Sequence, residues 1–224
     1  MSIIILDTET TGKNDPVACE IAFLEIAEDF SIIRKYCERF NPGKPIELGA
    51  TAIHHIFEKD ILDKPTITSF NLINEVPELK YIIGHNVDYD WQVLGKPHIY
   101  RICTLAIARF LLPDIDSHTQ TALIYYFKGR KARELVKSAH SAAIDVEICH
   151  SNLLNLLYEA EQQGYDVTTI HKIWEFSELS RIPLKMTFGK HKGELIKNVP
   201  YDYVKWLLKQ PDLDPYLYEA LINR

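Results

Sequence analysis

The feature that most constrains the fold is a short apolar segment near the start of the chain that ends in two acids. Residues 3–6 are four consecutive aliphatic residues, a run typical of a central strand buried on both faces. Asp7 and Glu9 follow, and side chains two residues apart on a strand point to the same face. Two adjacent carboxylates at the end of a buried strand repel each other and lose hydration unless a cation joins them. The pair therefore predicts either a divalent metal site or a frayed, hydrated strand end.

The remaining apolar pattern predicts a mixed sheet covered by helices. Residues 17–27 and 32–40 alternate in hydrophobicity, so together with residues 3–6 they predict three antiparallel strands. Further strands are predicted at residues 81–83 and 99–104. Helices are predicted at residues 66–75, 88–94, 105–112, 119–127 and 141–163. Strands first, and then strands interleaved with helices, indicate an α/β fold.

The composition changes after residue 164, where we predict a helical connector over residues 165–180 and a small C-terminal α+β module over residues 181–224. The module is predicted to contain a hairpin around residues 188–193 and two short helices at residues 201–208 and 215–222. Its first part is basic, and four aromatic residues lie nearby: Phe188, Tyr201, Tyr203 and Trp206. Basic residues interleaved with aromatic ones suit single-stranded nucleic acid, although the same aromatic residues could form the core of the module.

Two later segments place further acids beside predicted strand and helix ends. Asp88 and Asp90 follow the strand at residues 81–83, where Asp88 is predicted to cap a helix and Asp90 could point toward the first pair of acids. His140 and Asp145 lie at the start of the long helix. With Ser141 as the N-cap, His140 lies on the preceding loop and can fold back over Asp145. A loop histidine beside a metal site suits a general base, and the alternative is an ordinary helix start.

The three acidic segments resemble, in their order, the motifs of the DnaQ-like 3′→5′ exonucleases of the DEDDh type. They read Asp-Thr-Glu-Thr-Thr-Gly at residues 7–12, His-Asn-x-x-Tyr-Asp at residues 85–90 and His-x-Ala-x-x-Asp at residues 140–145. The resemblance covers residues 1–163, and bacterial members of similar length share the late Phe-Gly-Lys-x-Lys-Gly segment. It implies a ribonuclease-H-like fold with a central mixed five-stranded sheet flanked by helices, and a catalytic domain over residues 1–164.

The resemblance also implies a role for individual residues. Four acids would hold two Mg²⁺ ions, for which Mn²⁺ can substitute, and His140 would deprotonate the attacking water. The four acids are Asp7, Glu9, Asp90 and Asp145. The residues implied to bind substrate are Thr10, Thr11, Gly12, Lys13 and Asn86. Lys13 and Asn14 stand where family members often carry an apolar residue, so we expect a phosphate contact there in place of packing on the terminal base. His54, in a segment that recurs in the family, is assigned a structural role.

The implied reaction is the release of nucleoside 5′-monophosphates from DNA 3′ ends, on single strands or duplex ends, in DNA repair or degradation. DNA is favoured over RNA because of the late Phe-Gly-Lys segment. The alternatives are an exoribonuclease that trims RNA 3′ ends and a proofreading subunit associated with a polymerase. The complete set of acids and His140 argues against a nucleic-acid-binding module that has lost catalysis. No obligate protein partner is identifiable from the residues.

The distribution of charge along the chain is compatible with nucleic-acid binding, although the net charge alone does not suggest it. The 224 residues carry 25 Lys and Arg against 31 Asp and Glu, and the net charge of −6 argues against a passive nucleic-acid coat. Residues 128–137 and 181–198 nevertheless each contain five basic residues against one acid, as expected of phosphate-binding surfaces or of solvated faces. The four cysteines lack zinc-ligand spacing, and no targeting or membrane segment is recognisable, so we expect buried, reduced thiols and a cytoplasmic location.

Overall fold

A mixed five-stranded sheet forms the centre of the protein, whose computed structural model describes residues 1–136 and 141–224. The strands are β1 (Ser2–Thr10), β2 (Ala18–Ile26), β3 (Ile32–Arg39), β4 (Leu79–Gly84) and β5 (Tyr100–Cys103). Their order in the sheet is β3-β2-β1-β4-β5. The first three strands are antiparallel neighbours, and β4 and β5 run parallel to β1. The predicted mixed five-stranded sheet is confirmed.

Helices cover both faces of the sheet. In chain order they are α1 (Leu48–His54), α2 (Glu58–Ile61), α3 (Leu72–Glu75), α4 (Val87–Val93), α5 (Thr104–Leu111), α6 (Gln120–Lys128), α7 (Arg133–Val136), α8 (Ala142–Gln162), α9 (Ile170–Arg181), α10 (Tyr201–Leu207) and α11 (Pro215–Ile222). Short 3₁₀ turns occur at Ile67–Ser69, Gly129–Ala132 and Ile196–Asn198.

The region between β3 and β4 differs from the sequence prediction. The prediction of a single helix over residues 66–75 is wrong. The chain forms a 3₁₀ turn there, and the separate helix α3 begins after Asn71. The Asn71 side chain accepts hydrogen bonds from the N–H groups of Ile73 and Asn74, which makes it an N-cap. Helix α1 was not predicted. His54 is its only buried residue, so the helix has no apolar periodicity to reveal it.

Alternation along β1 assigns its side chains to two different hydrophobic clusters. Ile3 and Ile5 pack with residues of α5, α8 and α9, whereas Ile4 and Leu6 pack on the other face with Leu72 and Val87. Because side chains alternate along a strand, the two acids that follow continue the face covered by α8.

Helix α9 joins the central packing, and the residues beyond it form a separate cluster. Ile173 and Phe176 of α9 belong to the cluster that contains α8, and the Ser177 hydroxyl accepts a 2.8 Å hydrogen bond from the N–H of Cys103 in β5. The C-terminal cluster consists of Met186, Ile196, Val199, Val204, Leu207, Leu217, Ala220 and Leu221. The predicted hairpin is short: one antiparallel bridge joins Lys185 and Leu195 below the turn. Helices α10 and α11 agree with the prediction.

All four cysteines are free thiols. Cys19, Cys103 and Cys149 are buried as expected, but Cys37 is exposed because it lies on β3 at the edge of the sheet. None of the helices within the described residues combines the length and the apolar character needed to cross a membrane.

Candidate active site

Three carboxylates meet where β1 ends beneath the first turn of α8. Asp7 and Glu9 point to the face covered by α8, which carries Asp145 in its first turn. One oxygen of each of these three carboxylates lies within 4.8 Å of the others. The structure therefore brings together three of the four acids implied as metal ligands.

Asp90, the fourth acid, is buried beside this cluster in α4. Its Oδ1 accepts hydrogen bonds from the backbone N–H of Thr8 at 3.0 Å and from the Thr8 hydroxyl at 2.7 Å. Thr8 lies between Asp7 and Glu9, so these two bonds fix Asp90 against the strand that carries the other acids.

Burial raises the pKa values of Asp7, Glu9 and Asp90, and repulsion from neighbouring carboxylates adds to the effect for Asp7 and Glu9. Loss of hydration raises the pKa of Glu9 to about 8, and the charges of Asp145, Glu20 and Asp90 add to this effect. Burial likewise raises the pKa of Asp90 to about 7, although its bonds from Thr8 oppose the change. The pKa of Asp7 lies well above its usual range because of burial and then of the neighbouring Asp90. The cluster is therefore a place where negative charge is costly without a cation.

The donor set fits Mg²⁺ or Mn²⁺. Every side chain of the cluster offers carboxylate oxygen, which these cations prefer, and neither cysteine nor histidine belongs to it within the described residues. Across residues 1–136 and 141–224, no lysine or arginine forms an ion pair with Asp7, Glu9 or Asp90. A divalent cation would supply the positive charge that these three side chains lack.

We expect the metal-free protein to lose stability as the pH rises from about 4.5 to about 8. The folded state holds the Glu9 proton more tightly than the unfolded chain does, so the stability that this proton contributes is complete below the unfolded pKa and is lost as the pH rises through the folded one. The loss should amount to about 2 kcal/mol or more. Urea unfolding in EDTA across this pH range measures it.

The variant Glu9→Gln serves as the reference for this prediction, since it removes the titrating group and keeps the size of the side chain. The difference in unfolding free energy between the wild-type protein and the variant should fall as the pH rises. Adding Mg²⁺ at the alkaline end should restore wild-type stability more than that of the variant. A difference that does not change with pH would contradict the expectation.

A fifth acid, Glu20, ties the sheet to the start of α8. It lies directly opposite Glu9 in the β1–β2 pairing, and only 4% of its side chain is exposed. Its Oε2 accepts a 2.8 Å bond from Arg39 Nε, and its Oε1 accepts a 3.1 Å bond from the N–H of Ala142. Ser141 is the N-cap residue as predicted, although its hydroxyl makes no capping bond. Glu20 satisfies the N–H of Ala142, one of the N–H groups at the helix start that have no partner within the helix.

Glu20 was not predicted as a site residue, although its position in the sequence carries one signal. Residues 18–26 are buried except for one partly exposed acid, and Glu20 is a charged residue fully buried among them. A buried acid inside a strand requires a specific partner. Its partner Ala142 lies 122 residues away, and nothing in the sequence pattern indicated that pairing.

The residues implied to bind substrate occupy the loop after β1. Thr10 and Thr11 are buried, and their hydroxyls are engaged within the protein: Thr10 Oγ1 lies 2.7 Å from the Tyr89 hydroxyl, and Thr11 Oγ1 accepts a bond from the Val17 N–H. Gly12 has a φ of 151°, and a Cβ there would overlap the Glu47 side chain. Only glycine fits this position without moving its neighbour.

His54 supports the same loop from α1, in agreement with its predicted structural role. The buried ring contacts the carbonyl of Thr10 through Nε2 at 3.2 Å and accepts the Ile56 N–H at Nδ1. Nε2 therefore carries the proton, and burial lowers the pKa of this histidine.

Two other candidates, Lys13 and Asn86, are exposed and able to reach a ligand. Lys13 lies on the turn that follows Gly12. Asn86 has a φ of 71° at the N-cap of α4, and its side chain makes no capping bond. Within the described residues, Lys13 forms no ion pair. Both side chains remain candidates for substrate contact.

The predicted capping role of Asp88 is wrong. Asn86 occupies the N-cap position, and Asp88 lies inside the first turn of α4. Its carboxylate instead pairs with the guanidinium groups of Arg101 in β5 and Arg181 at the end of α9. Sequence spacing alone allows an acid at a helix start either to cap the helix or to form ion pairs. Asp88 forms ion pairs because two arginines distant in the sequence lie beside it.

His140, the predicted general base, lies outside the described residues, as does Lys137 of the basic segment 128–137. The other basic residues of that segment are exposed: Lys128, Arg130, Lys131 and Arg133.

His85 cannot replace His140 as a base, because its Nε2 donates to the carbonyl of His118 and its Nδ1 lies 3.0 Å from the Thr104 hydroxyl. Burial also lowers the pKa of His85 to about 4.

Comparison with known proteins gives matches over most of the chain. Exodeoxyribonuclease 10 of Escherichia coli strain K12 is 28% identical over 214 residues, which cover 93% of this chain and 91% of that protein. DNA polymerase III subunit epsilon of Buchnera aphidicola subsp. Acyrthosiphon pisum is 31% identical over 232 aligned positions, covering 94% and 90% of the two chains.

Solved structures agree with the sheet and its covering helices. Exonuclease X in complex with 5′ overhanging duplex DNA matches with a TM-score of 0.60 and 28% identity, covering 77% of this chain and 99% of that chain. Exonuclease I of E. coli in complex with a dT13 oligonucleotide matches with a TM-score of 0.56 at 16% identity, covering 72% and 42% of the chains, which supports the fold alone. The expected ribonuclease-H-like α/β fold is confirmed.

A family model described as exonuclease, RNase_T, matches residues 4–151, the part of the chain that contains most of β1, all of α4 and the start of α8. The match covers well over half of the 224 residues. This protein therefore belongs to the RNase_T exonuclease family and is a nuclease that hydrolyses phosphodiester bonds.

Proposed function

We propose that this exonuclease is a divalent-metal-dependent 3′→5′ exodeoxyribonuclease that releases nucleoside 5′-monophosphates one at a time. The observation that carries the proposal is the cluster of Asp7, Glu9 and Asp145 with Asp90 packed beside it. Likeness to Exodeoxyribonuclease 10 and to an exonuclease X that was solved with duplex DNA supports DNA as the substrate.

The four acids would hold two Mg²⁺ ions, because four negative charges match two divalent cations. When bound, such ions neutralise charge on the scissile phosphate and make water a stronger nucleophile. Thr8 orients the Asp90 carboxylate through two hydrogen bonds, and Glu20 holds the end of the helix that carries Asp145. The protein thus fixes its metal-binding oxygens before substrate arrives.

The remaining residues of the site would act on the nucleotide and on the attacking water. His140 is proposed to take a proton from that water, a role for which an imidazole titrates in the suitable range. The loop of Thr10, Thr11 and Gly12 would lie against the terminal nucleotide, with Lys13 and Asn86 reaching phosphate or sugar. We also propose that the protein acts in the cytoplasm, in DNA repair or DNA degradation.

Digestion of labelled oligonucleotides tests the polarity and the substrate. A single-stranded DNA labelled at its 5′ end should shorten progressively in Mg²⁺, and the same strand labelled at its 3′ end should release labelled mononucleotide at once. Matched RNA should be degraded more slowly than the single-stranded DNA, and DNA duplexes with either overhang should also lose nucleotides from their 3′ ends. Early release of the 5′ label, internal cleavage, or faster digestion of RNA would contradict the proposal.

A second candidate is a proofreading subunit, which the likeness to DNA polymerase III subunit epsilon favours. Such a protein would degrade a mismatched 3′ terminus faster than a paired one and would gain activity when a polymerase holds it. Strong activity of the isolated chain on both mismatched and paired 3′ termini would favour an exonuclease that acts without a polymerase.

A further inference from the structure

The turn over residues 188–193 has exposed aromatic neighbours that the C-terminal core does not use. Phe188 is 46% exposed, Tyr201 is 68% exposed and Trp206 is 53% exposed. The buried cluster of this region is built from other, mostly aliphatic residues. The sequence left open whether these aromatic residues form a core, and the packing shows that these three do not.

The turn is held close to α10 at a fixed position. Gly189 has a φ of 72°, and a Cβ there would overlap the Tyr203 hydroxyl. The base of the turn is closed by a 2.8 Å hydrogen bond from the Gly193 N–H to the Met186 carbonyl. The tip of the turn therefore lies directly on the Tyr203 side chain, and only glycine allows this approach.

Aromatic rings and a lysine then continue from the turn across α10. The His191 ring meets the Tyr203 ring edge-on at 4.6 Å between centroids, and the Tyr203 ring lies 5.4 Å from that of Trp206. Lys190 Nζ lies 5.4 Å from the centre of the Tyr203 ring. Tyr203 therefore contacts both Lys190 and Trp206, and the Trp206 indole is held on this row while it stays exposed.

The charge of this region is positive and is not neutralised by the protein itself. Residues 185–209 contain six lysines and only two acids. Of these two acids, Glu194 already binds His191. In the part of the chain that the structure describes, none of the six lysines forms an ion pair.

We propose that Phe188, Lys190, Lys192 and Trp206, here called the basic aromatic surface, bind single-stranded DNA. Lysines would contact phosphates while bases stack on the exposed rings. Single strands fit better than duplex, because paired bases do not offer their faces to a protein ring. The inference rests on the proposed function, since the bound strand would be the substrate of the carboxylate cluster.

Binding of the full chain to a fluorescein-labelled dT20 in EDTA, followed by anisotropy, tests the surface without cleavage. Trp206→Ala should weaken binding roughly tenfold through lost stacking. The double variant Lys190→Ala/Lys192→Ala should weaken binding and lower the slope of log Kd against log salt by about 1.4, corresponding to two phosphate contacts. Tyr158→Ala, which removes a tyrosine that is 60% exposed on α8, is the matched control and should bind like the wild type.

Hydrolysis of the p-nitrophenyl ester of dTMP in Mg²⁺ separates this proposal from the proposed function. The ester is too small to span the active site and a second surface, so the surface variants should hydrolyse it at the wild-type rate. Wild-type ester hydrolysis together with unchanged dT20 binding by Trp206→Ala and the double lysine variant would overturn the surface and leave the function intact. If the wild type hydrolysed neither the ester nor DNA, the proposed function would be overturned instead.

Discussion

Replacing Asp7 or Asp145 by asparagine is expected to slow nucleotide release from single-stranded DNA at least about thousandfold, or about 4 kcal/mol of transition-state stabilisation. Both side chains belong to the group of carboxylates whose oxygens lie within 4.8 Å of one another. Asparagine has nearly the same size but no charge, so each variant removes one of the anionic ligands that divalent cations require. Initial rates on a 5′-labelled strand, measured over a range of Mg²⁺ concentrations, give the size of the loss.

The control for this prediction is Asp63→Asn, which changes an exposed acid outside the cluster and should leave the rate unchanged. Thermal unfolding in EDTA distinguishes lost chemistry from lost folding. Asp7→Asn should melt no lower than the wild type, because it removes one of the charges that repel each other in the metal-free cluster. A folded Asp7 or Asp145 variant that keeps wild-type, Mg²⁺-dependent activity would disprove the assignment of these residues as metal ligands.

Glu20→Ala is expected to lower kcat by about 10–100-fold with little change in KM. The substitution leaves the N–H of Ala142 and the guanidinium of Arg39 without their carboxylate partner. Ala142 is the first residue of the helix that carries Asp145, so a shift of the helix start would displace that ligand. We therefore expect Glu20→Ala to need more Mg²⁺ for half-maximal activity, an effect that a purely structural role would not produce.

Two further variants make the Glu20 prediction specific. Glu20→Gln keeps an oxygen that can accept the Ala142 N–H, so it should recover a large part of kcat. Glu25→Ala is the matched control, because Glu25 lies on the same strand and pairs with Arg34 as Glu20 pairs with Arg39. If Glu20→Ala and Glu25→Ala had the same kcat and the same Mg²⁺ dependence, Glu20 would have no positioning role.

The sequence was sufficient where a local pattern determines the structure. Strand β1 was predictable because its aliphatic run and the alternation of Asp7 and Glu9 require only neighbouring residues. The start of α8 was predictable from Ser141 and the apolar periodicity that follows it. The meeting of Asp7 with Asp145 came from a family resemblance, since no local pattern brings residues so distant in the sequence together.

The errors have a common physical cause. Asp88 satisfies the spacing of a cap, yet its carboxylate binds two arginines from β5 and α9 that no spacing rule connects to it. Glu20 depends on an N–H group of a distant helix. Residues 66–75 were predicted as one helix, but Asn71 accepts backbone N–H groups and starts a helix in the middle of the segment. Side chains that bond to backbone or to remote charges were the ones that local pattern could not place.

The two arginines at Asp88 also bear on how deletions of this protein should be interpreted. Arg181, with 5% of its side chain exposed, connects the end of α9 to a residue only two positions before Asp90. Ile173 and Phe176 of the same helix fill part of the cluster beneath the sheet. We therefore expect residues 165–181 to unfold cooperatively with the nuclease core. Loss of activity after truncation at residue 164 would not by itself show that the C-terminal residues touch DNA, whereas point substitutions on the basic aromatic surface would separate recognition from cooperative stability.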